Sequence, residues 1–256
     1  MSNGRLRLSL LVAALCATAV ALAAVASAQT GRSKALLLPD LAQEVPGDLS
    51  VRVVAGEARL GFASAVDNQG AGPLIVKGAR TRGQREMSVA QVIEREDGTR
   101  LVRRGVGRFR YTKLRDHAHW HYLRFDRYLV RRAGGTTVAT DRKSGFCLGD
   151  RFNADLKLLP GEPAQPPFRT RCGLKRPDLL KVTEGISVGY GDNYDAYLEG
   201  QHVVIDGLPA GRYELVHHAN ADRRLLEERY DNNTACVAFD LTWPEGRPAI
   251  GDPAPC

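Results

Sequence analysis

The stretch His117-Ala118-His119-Trp120-His121, with Tyr111 before it and Tyr122, Phe125, Tyr128 and Val130 after it, decides how the chain reads. Alternate residues of a β-strand face opposite sides of a sheet, so extended backbone puts the three imidazoles on one face and Ala118 and Trp120 on the other. The flanking aromatic and β-branched residues suit a pleated, half-buried surface, which predicts a strand from about Tyr111 to Arg131. Half of the 6 histidines in the chain stand in this one stretch. Three neutral imidazoles on one face make a transition-metal site, although imidazole alone does not separate copper from zinc, iron or nickel. A solvated or pH-sensing histidine cluster is the alternative.

Working outward, Gly134-Gly135 predicts a turn into Thr136 to Leu148. A plain two-residue hairpin sets Lys143 opposite Asp126, off the histidine face, so either a bulge shifts the register or Lys143 lies past the paired region. Upstream, the β-like runs Val51 to Val54, Leu60 to Val66, Leu74 to Val76 and Met87 to Arg95 are divided by Ala55-Gly56, Asn68-Gln69-Gly70 and Gly78 to Gly83. Glu96-Asp97-Gly98-Thr99 reads as a hairpin turn into Leu101 and Val102. Downstream, Pro160 to Pro167 predicts a surface loop and Asp192-Asn193-Tyr194-Asp195 a sharp exposed turn. Gln201 to Ile205 and Arg212 to His218 read as a hairpin, and Val237 to Leu241 as a last strand before a Pro/Gly-rich tail. Helical periodicity is missing. The fold expected is all-β, a single β-sandwich-like domain with long loops over 51–256, after an extended lead-in over 29–50.

Residues 1–28 read as an export signal: Arg5 and Arg7 precede the apolar run Leu8 to Val25, and Ala26-Ser27-Ala28 has the small-x-small cleavage pattern. The alternatives are a membrane anchor, or a lipoprotein signal at Cys16, which Leu15 disfavours. The expectation is a secreted or extracytoplasmic chain with no stable membrane span after signal cleavage, since no other stretch is apolar for long enough. Removing Arg5 and Arg7 from the 36 Lys and Arg leaves 34 against 29 Asp and Glu. That excess suits acidic envelope polymers, and without an aromatic-basic motif no nucleic acid is expected as a partner. Cys147, Cys172, Cys236 and Cys256 remain, an even number that favours disulfides in an exported chain.

Five motifs stand in order: Val66-Asp67-Asn68-Gln69-Gly70, the histidine triplet, Lys143-Ser144-Gly145-Phe146-Cys147-Leu148, the run Gly189 to Tyr194, and Tyr230-Asp231-Asn232-Asn233 before Cys236. The series resembles the lysyl oxidase family of copper-dependent amine oxidases and covers most of the mature chain. The resemblance implies copper(II) on His117, His119 and His121, and a lysine tyrosylquinone made from Lys143 and Tyr194. By residue type alone these two would be a solvated strand lysine and a loop tyrosine, with Tyr190 and Tyr197 as neighbouring alternatives to Tyr194. The implied reaction oxidises a primary amine or peptidyl lysine to an aldehyde with molecular oxygen, releasing ammonia and hydrogen peroxide. The base is left open among Asp116, Asp126, Asp192 and Asp195. A reading from another class is a non-catalytic exported copper-binding β-domain associated with the cell envelope.

The resemblance also implies calcium held by Asp40, Leu41, Glu227, Asn232 and Asn233, which offer the oxygens a hard cation takes. Arg229 stands where the family pattern has an acid; Asp231 is a substitute, and a capped turn over Tyr230-Asp231-Asn232-Asn233 is the alternative. For the cysteines, Cys147–Cys172 is expected to fix the lysine strand across the Pro160 to Pro167 loop, and Cys236–Cys256 to anchor the tail.

Overall fold

Along Glu57–Asn68, Ala58, Leu60, Phe62, Ser64 and Val66 are buried while the residues between them are only partly so. That period of two marks a strand with one face in a core. The computed structural model describes residues 34–113, 118–143, 145–154, 158–169, 171–198 and 200–256. The export signal read at 1–28, together with Asp116 and His117, lies outside the described residues.

Within the compact unit Leu36–Cys256, three antiparallel sheets are built. The first runs in the order Gly145–Phe146, Trp120–Leu123, Arg100–Tyr111, Glu86–Arg95, Leu74–Ala79 and Lys181–Ile186, with Leu36–Leu37 added to Glu86–Arg95. The second runs Thr137–Thr140, Asp126–Arg132, Gly211–Ala219, Thr234–Thr242 and Ala249–Pro255. In the third, Glu57–Asn68 lies between Tyr190–Tyr194 and His202–Val204; Phe152–Asn153 pairs with Tyr190–Tyr194, while Leu41–Gln43 and Gly47–Val54 pair with Glu57–Asn68. One hydrophobic core receives side chains from all three sheets, among them Phe62, Phe109, Trp120, Tyr128, Phe146 and Phe239. The all-β expectation holds, and between Asn153 and Lys181 the described residues form a long loop without a strand.

Both glycine turns form as read. Gly98, at φ 79°, closes Glu86–Arg95 onto Arg100–Tyr111, and Gly134, at φ 64°, closes Asp126–Arg132 onto Thr137–Thr140. The described part of the 29–50 segment does not run free as a lead-in: from Leu36 its strands pair with Glu86–Arg95 and Glu57–Asn68 and so belong to the sheets.

Four expectations are corrected. Asp192-Asn193-Tyr194-Asp195 is not a sharp exposed turn: Tyr190–Tyr194 is a strand paired with Glu57–Asn68, and Asp192 is buried. The strand expected over Tyr111 to Arg131 is not continuous: Arg124 takes a left-handed φ of 60°, and Trp120–Leu123 and Asp126–Arg132 join different sheets. The buried Phe125 sits at this break, where its carbonyl accepts from Asn220 N at 2.7 Å. Gln201 to Ile205 and Arg212 to His218 do not form a hairpin; His202–Val204 pairs with Glu57–Asn68, which buries Val203, while Gly211–Ala219 takes the centre of the second sheet. Nor is Val237 to Leu241 the last strand, because the tail returns as Ala249–Pro255 on an edge, where prolines cost no ladder bond on the solvent side.

Both expected disulfides are present, Cys147–Cys172 and Cys236–Cys256. No helix among the described residues is long and apolar enough to cross a membrane.

Candidate active site

Trp120–Leu123 pairs with Arg100–Tyr111 so that Tyr111 faces Trp120 and Arg110 faces His121. Trp120 points into the core and is fully buried, which turns His121 to the other face, as the period of two requires. The segment is pinned behind the histidines. Trp120 N donates to Cys172 O at 2.8 Å, Trp120 Nε1 to Arg176 O at 3.0 Å, and Lys175 N to Ala118 O at 2.6 Å. Thr112 Oγ1 meets His121 Nδ1 at 3.1 Å, leaving Nε2 of that ring to face Nε2 of His119 at 2.7 Å. Two imidazole nitrogens converging on one point, one of them oriented from behind, are a donor set that fits a transition metal such as copper. The other close grouping of metal-type ligands among the described residues is Glu214 beside Cys236 and Cys256. Its sulfurs are joined to each other and offer no thiolate.

Lys143 lies past the paired part of its hairpin, where the chain crosses from the second sheet to the first. Both solutions to the register difficulty occur: the ladder is bulged between Thr137 and Ala139, and pairing with Asp126–Arg132 ends at Thr140. Asp141 then caps the crossing, accepting from Tyr128 N and Lys143 N, each at 2.8 Å. The crossing carries Lys143 over the end of the third sheet, with Nζ 4.0 Å from the centroid of the Tyr194 ring. Phe146, one residue beyond Gly145 and with its ring centroid 4.6 Å from Lys143 Nζ, meets the Tyr194 ring edge-on at 5.1 Å. One ground for the non-catalytic reading, a lysine held off the histidine face by its hairpin register, is not met in this structure.

A cavity of about 150 Å³ is lined by His119, His121, Lys143, Arg151, Asp192 and Tyr194 among others. Tyr190 instead donates to Pro163 O at 3.2 Å and lines a different hollow, and Tyr197 is 77% exposed. Of the acids named from sequence, Asp126 pairs with His217 away from the cavity wall, and Asp195 lines another hollow. Asp192 faces inward. Its Oδ2 accepts from Tyr194 Oη at 2.7 Å, and Arg151 Nε lies 3.5 Å from its Oδ1. Tyr194 Oη also reaches Cys147 O at 3.2 Å.

Burial governs the protonation of all three groups. It pulls the Lys143 amine down to about 8, against the carboxylates of Asp126, Asp192 and Asp141. It pushes Asp192 up to about 7, against Arg151, Tyr194 and Lys143. It also drives the Tyr194 phenol well above its ordinary value, helped by the adjacent Asp192 carboxylate.

Sequence reading missed Gln201. It is buried, its Oε1 accepts from Lys143 Nζ at 2.8 Å, and its Nε2 donates to Ser64 Oγ at 2.8 Å. Ser64 in turn meets Tyr128 Oη at 2.9 Å. A neutral amide in a turn carries no local signal of such a role; only the fold brings it to the lysine.

The five residues read as calcium ligands do come together. Asp40 accepts from Arg229 Nε and Asn232 Nδ2, both at 2.9 Å. Glu227 accepts from Leu41 N and Asn233 Nδ2, both at 2.9 Å, and from Asn220 Nδ2 at 2.5 Å. Among the described residues, Asn232 Oδ1 and Asn233 Oδ1 are buried acceptors without a donor. For a divalent cation the set is mixed: the Arg229 guanidinium balances Asp40 and burial pushes Glu227 up to about 7, while Asn232 and Asn233 each keep an unpartnered oxygen. Asp231, the substitute acid, is exposed.

An all-antiparallel β-domain with a histidine-lined cavity, in which a half-buried lysine lies over a tyrosine ring, is the class that fold and site define. Residues 88–245 match the family model described as lysyl oxidase, and the chain belongs to the lysyl oxidase family. It is similar to lysyl oxidase homolog 1 of Homo sapiens, with 31% identity over 122 residues, 46% of this chain and 18% of that protein. It is similar also to lysyl oxidase homolog 1 of Bos taurus, again with 31% identity over 122 residues, 46% of this chain and 17% of that protein. The match spans under a fifth of the length of these relatives.

Proposed function

We propose that the chain is an exported copper-dependent oxidase of primary amines, acting through a lysine tyrosylquinone formed between Lys143 and Tyr194. Family membership supports an oxidoreductase role in general. The observation that carries the finer reading is the Lys143 amine 4.0 Å over the Tyr194 ring, in one cavity with His119 and His121. His119 and His121, with His117, would hold copper, and the copper and quinone together supply oxygen activation and an electrophilic carbonyl for the substrate amine.

The chain's own residues prepare this chemistry. Cross-linking needs a neutral lysine amine, and burial provides one near physiological pH by drawing Lys143 to about 8. Gln201 Oε1 fixes where Nζ points. Asp192 accepts the phenol's hydrogen bond and so orients its proton; at about 7 it is also suited to take the proton from the substrate carbon next to nitrogen. Arg151 steadies the Asp192 carboxylate. The substrate is a primary amine, including one borne on a peptidyl lysine, with molecular oxygen as the second reactant.

Peptide mapping of copper-loaded, oxygen-exposed mature protein tests the reading. The expected result is a cross-linked Lys143–Tyr194 peptide, a quinone absorbance quenched by phenylhydrazine, and amine-dependent peroxide. Two unmodified peptides and no peroxide, in protein shown to contain copper, overturn it.

A further inference from the structure

The site cavity of about 150 Å³ holds an aminoalkyl group but not the chain that carries it. Whatever bears the amine must lie on the neighbouring surface. Next to the histidines is a hollow of about 990 Å³ whose lining includes Arg80, Arg85, Arg108, Arg110 and Lys113 and one carboxylate, Glu86. The two are neighbours across the ladder: Arg110 is the cross-strand partner of His121, and Glu86 and Ser88 are in turn the partners of Arg110 and Arg108.

Charge in this hollow is poorly cancelled. Glu86 is shared, 2.6 Å from Arg110 and 3.6 Å from Arg108. Arg80 spends its guanidinium on backbone carbonyls, Leu179 O at 2.8 Å and Gln84 O at 2.6 Å, and stacks over Trp120 at 4.6 Å. It thereby braces the wall without losing its charge. Arg85 and Lys113 are exposed, and among the described residues neither pairs with a carboxylate. A cationic wall repels a bare ammonium and attracts a polyanion.

We infer that the preferred substrate is a peptidyl lysine flanked by acidic residues, whose carboxylates lie in the Arg80–Arg85–Arg108–Arg110–Lys113 hollow while its lysine enters the histidine cavity. This rests on the amine-oxidase reading above and names the substrate class of the same site. Carboxylates next to the lysine answer this geometry, in which arginine forks take carboxylates while the amine projects past them.

The test uses the copper-loaded mature protein with four amines: butylamine, and N-acetylated peptides with one lysine flanked by Glu, by Ser or by Arg. The Glu peptide should show a KM on the order of five-fold or more below that of the Ser peptide, with the Arg peptide poorest and the preference fading at high salt. In Arg85→Glu/Lys113→Glu the order should collapse or reverse while butylamine turnover stays unchanged; Arg85→Gln/Lys113→Gln should fall between. Equal KM for the Glu and Ser peptides, with butylamine oxidised, overturns the inference and leaves amine oxidation standing. No oxidation of any amine defeats the reading it rests on. In that event anisotropy of a labelled Glu peptide decides the hollow: affinity equal in wild type and double Glu variant overturns it. Tight binding of a carboxylated polysaccharide, with none of the Glu peptide, overturns it as well.

Discussion

Replacing Gln201 should move the pH at which the lysine–tyrosine cross-link forms, in opposite directions for two substitutions. Attack by Lys143 needs the free amine, and at about 8 the amine is roughly one-tenth neutral at pH 7. The Gln201 Oε1 contact at 2.8 Å favours the ammonium, since charge-assisted bonds are about twice as strong as neutral ones. Gln201→Leu removes roughly 1–1.5 kcal/mol more from the ammonium than from the amine, or about one pKa unit. The midpoint should fall from about 8 to roughly 7. Gln201→Glu places an acid against Nζ and should raise the midpoint by about as much. The sign is fixed by which form reacts: neutral lysine increases as pH rises through the folded-state value, so the rate rises with pH. The assay adds copper to copper-free protein in oxygen across a pH series and counts cross-linked peptide, with copper occupancy measured at each pH to remove the titration of the histidines. A merely structural Gln201 would lower yield at every pH without moving the midpoint. Identical midpoints in all three proteins, or shifts in one direction only, would refute the reasoning.

Removing Cys147–Cys172 by paired serine substitution should cost about 3.5 kcal/mol for a separation of 25, and roughly 7–14 °C in Tm. Loss of Cys236–Cys256, separation 20, should cost nearly as much, yet only the first should lower cross-link yield, because Cys147 O holds Tyr194 and Cys172 O holds Trp120; equal yields in the two variants would sink that assignment. Asp192→Asn should lower amine turnover on the order of 10²–10⁴-fold in protein already carrying the cross-link, with Asp195→Asn near wild type; a loss under about tenfold would place the proton acceptor elsewhere. Excess EGTA should leave the Tm of copper-free wild type unchanged, while Arg229→Asp should gain a Tm increase on adding calcium. A wild-type Tm that falls with EGTA contradicts the guanidinium as the charge balancing Asp40.

Local pattern made much of this legible. Alternation exposed the histidine face, and glycines at positive φ marked the turns at Gly98 and Gly134. The break at Arg124 was invisible because its cause is tertiary: Tyr122 and Phe125 both seek the core, and only a left-handed residue between them lets the chain serve two sheets. The placement of Lys143 was hidden for a related reason. A bulge cannot be read from Thr137-Val138-Ala139, and the lysine reaches Tyr194 by leaving one sheet for another. Order along the chain named the pair, but the distance between them comes from packing. Gln201 is further still from local signal, since it acts through a partner 58 positions away that must first be placed.

Under the proposed reaction one small cavity must handle two primary amines in turn, first Lys143 and then the substrate. The same desolvation acts on both. It is the largest influence on Lys143, Asp192 and Tyr194 alike, and in each case it favours the uncharged form. Its effect is to bring the amine, at about 8, and the acid, at about 7, close together. Their ordinary values lie more than six units apart, so in water a proton would stay on the amine; here the gap of about one unit corresponds to roughly 1.4 kcal/mol. Under the proposed reaction the acid can therefore take a proton and return it within each cycle at small cost. That reversibility is what an amine oxidase requires, because its acid must take a proton from one group and yield it to another in each cycle. A half-buried lysine beside a buried acid is consequently better explained by chemistry than by stability, since burial of either charge works against the folded state.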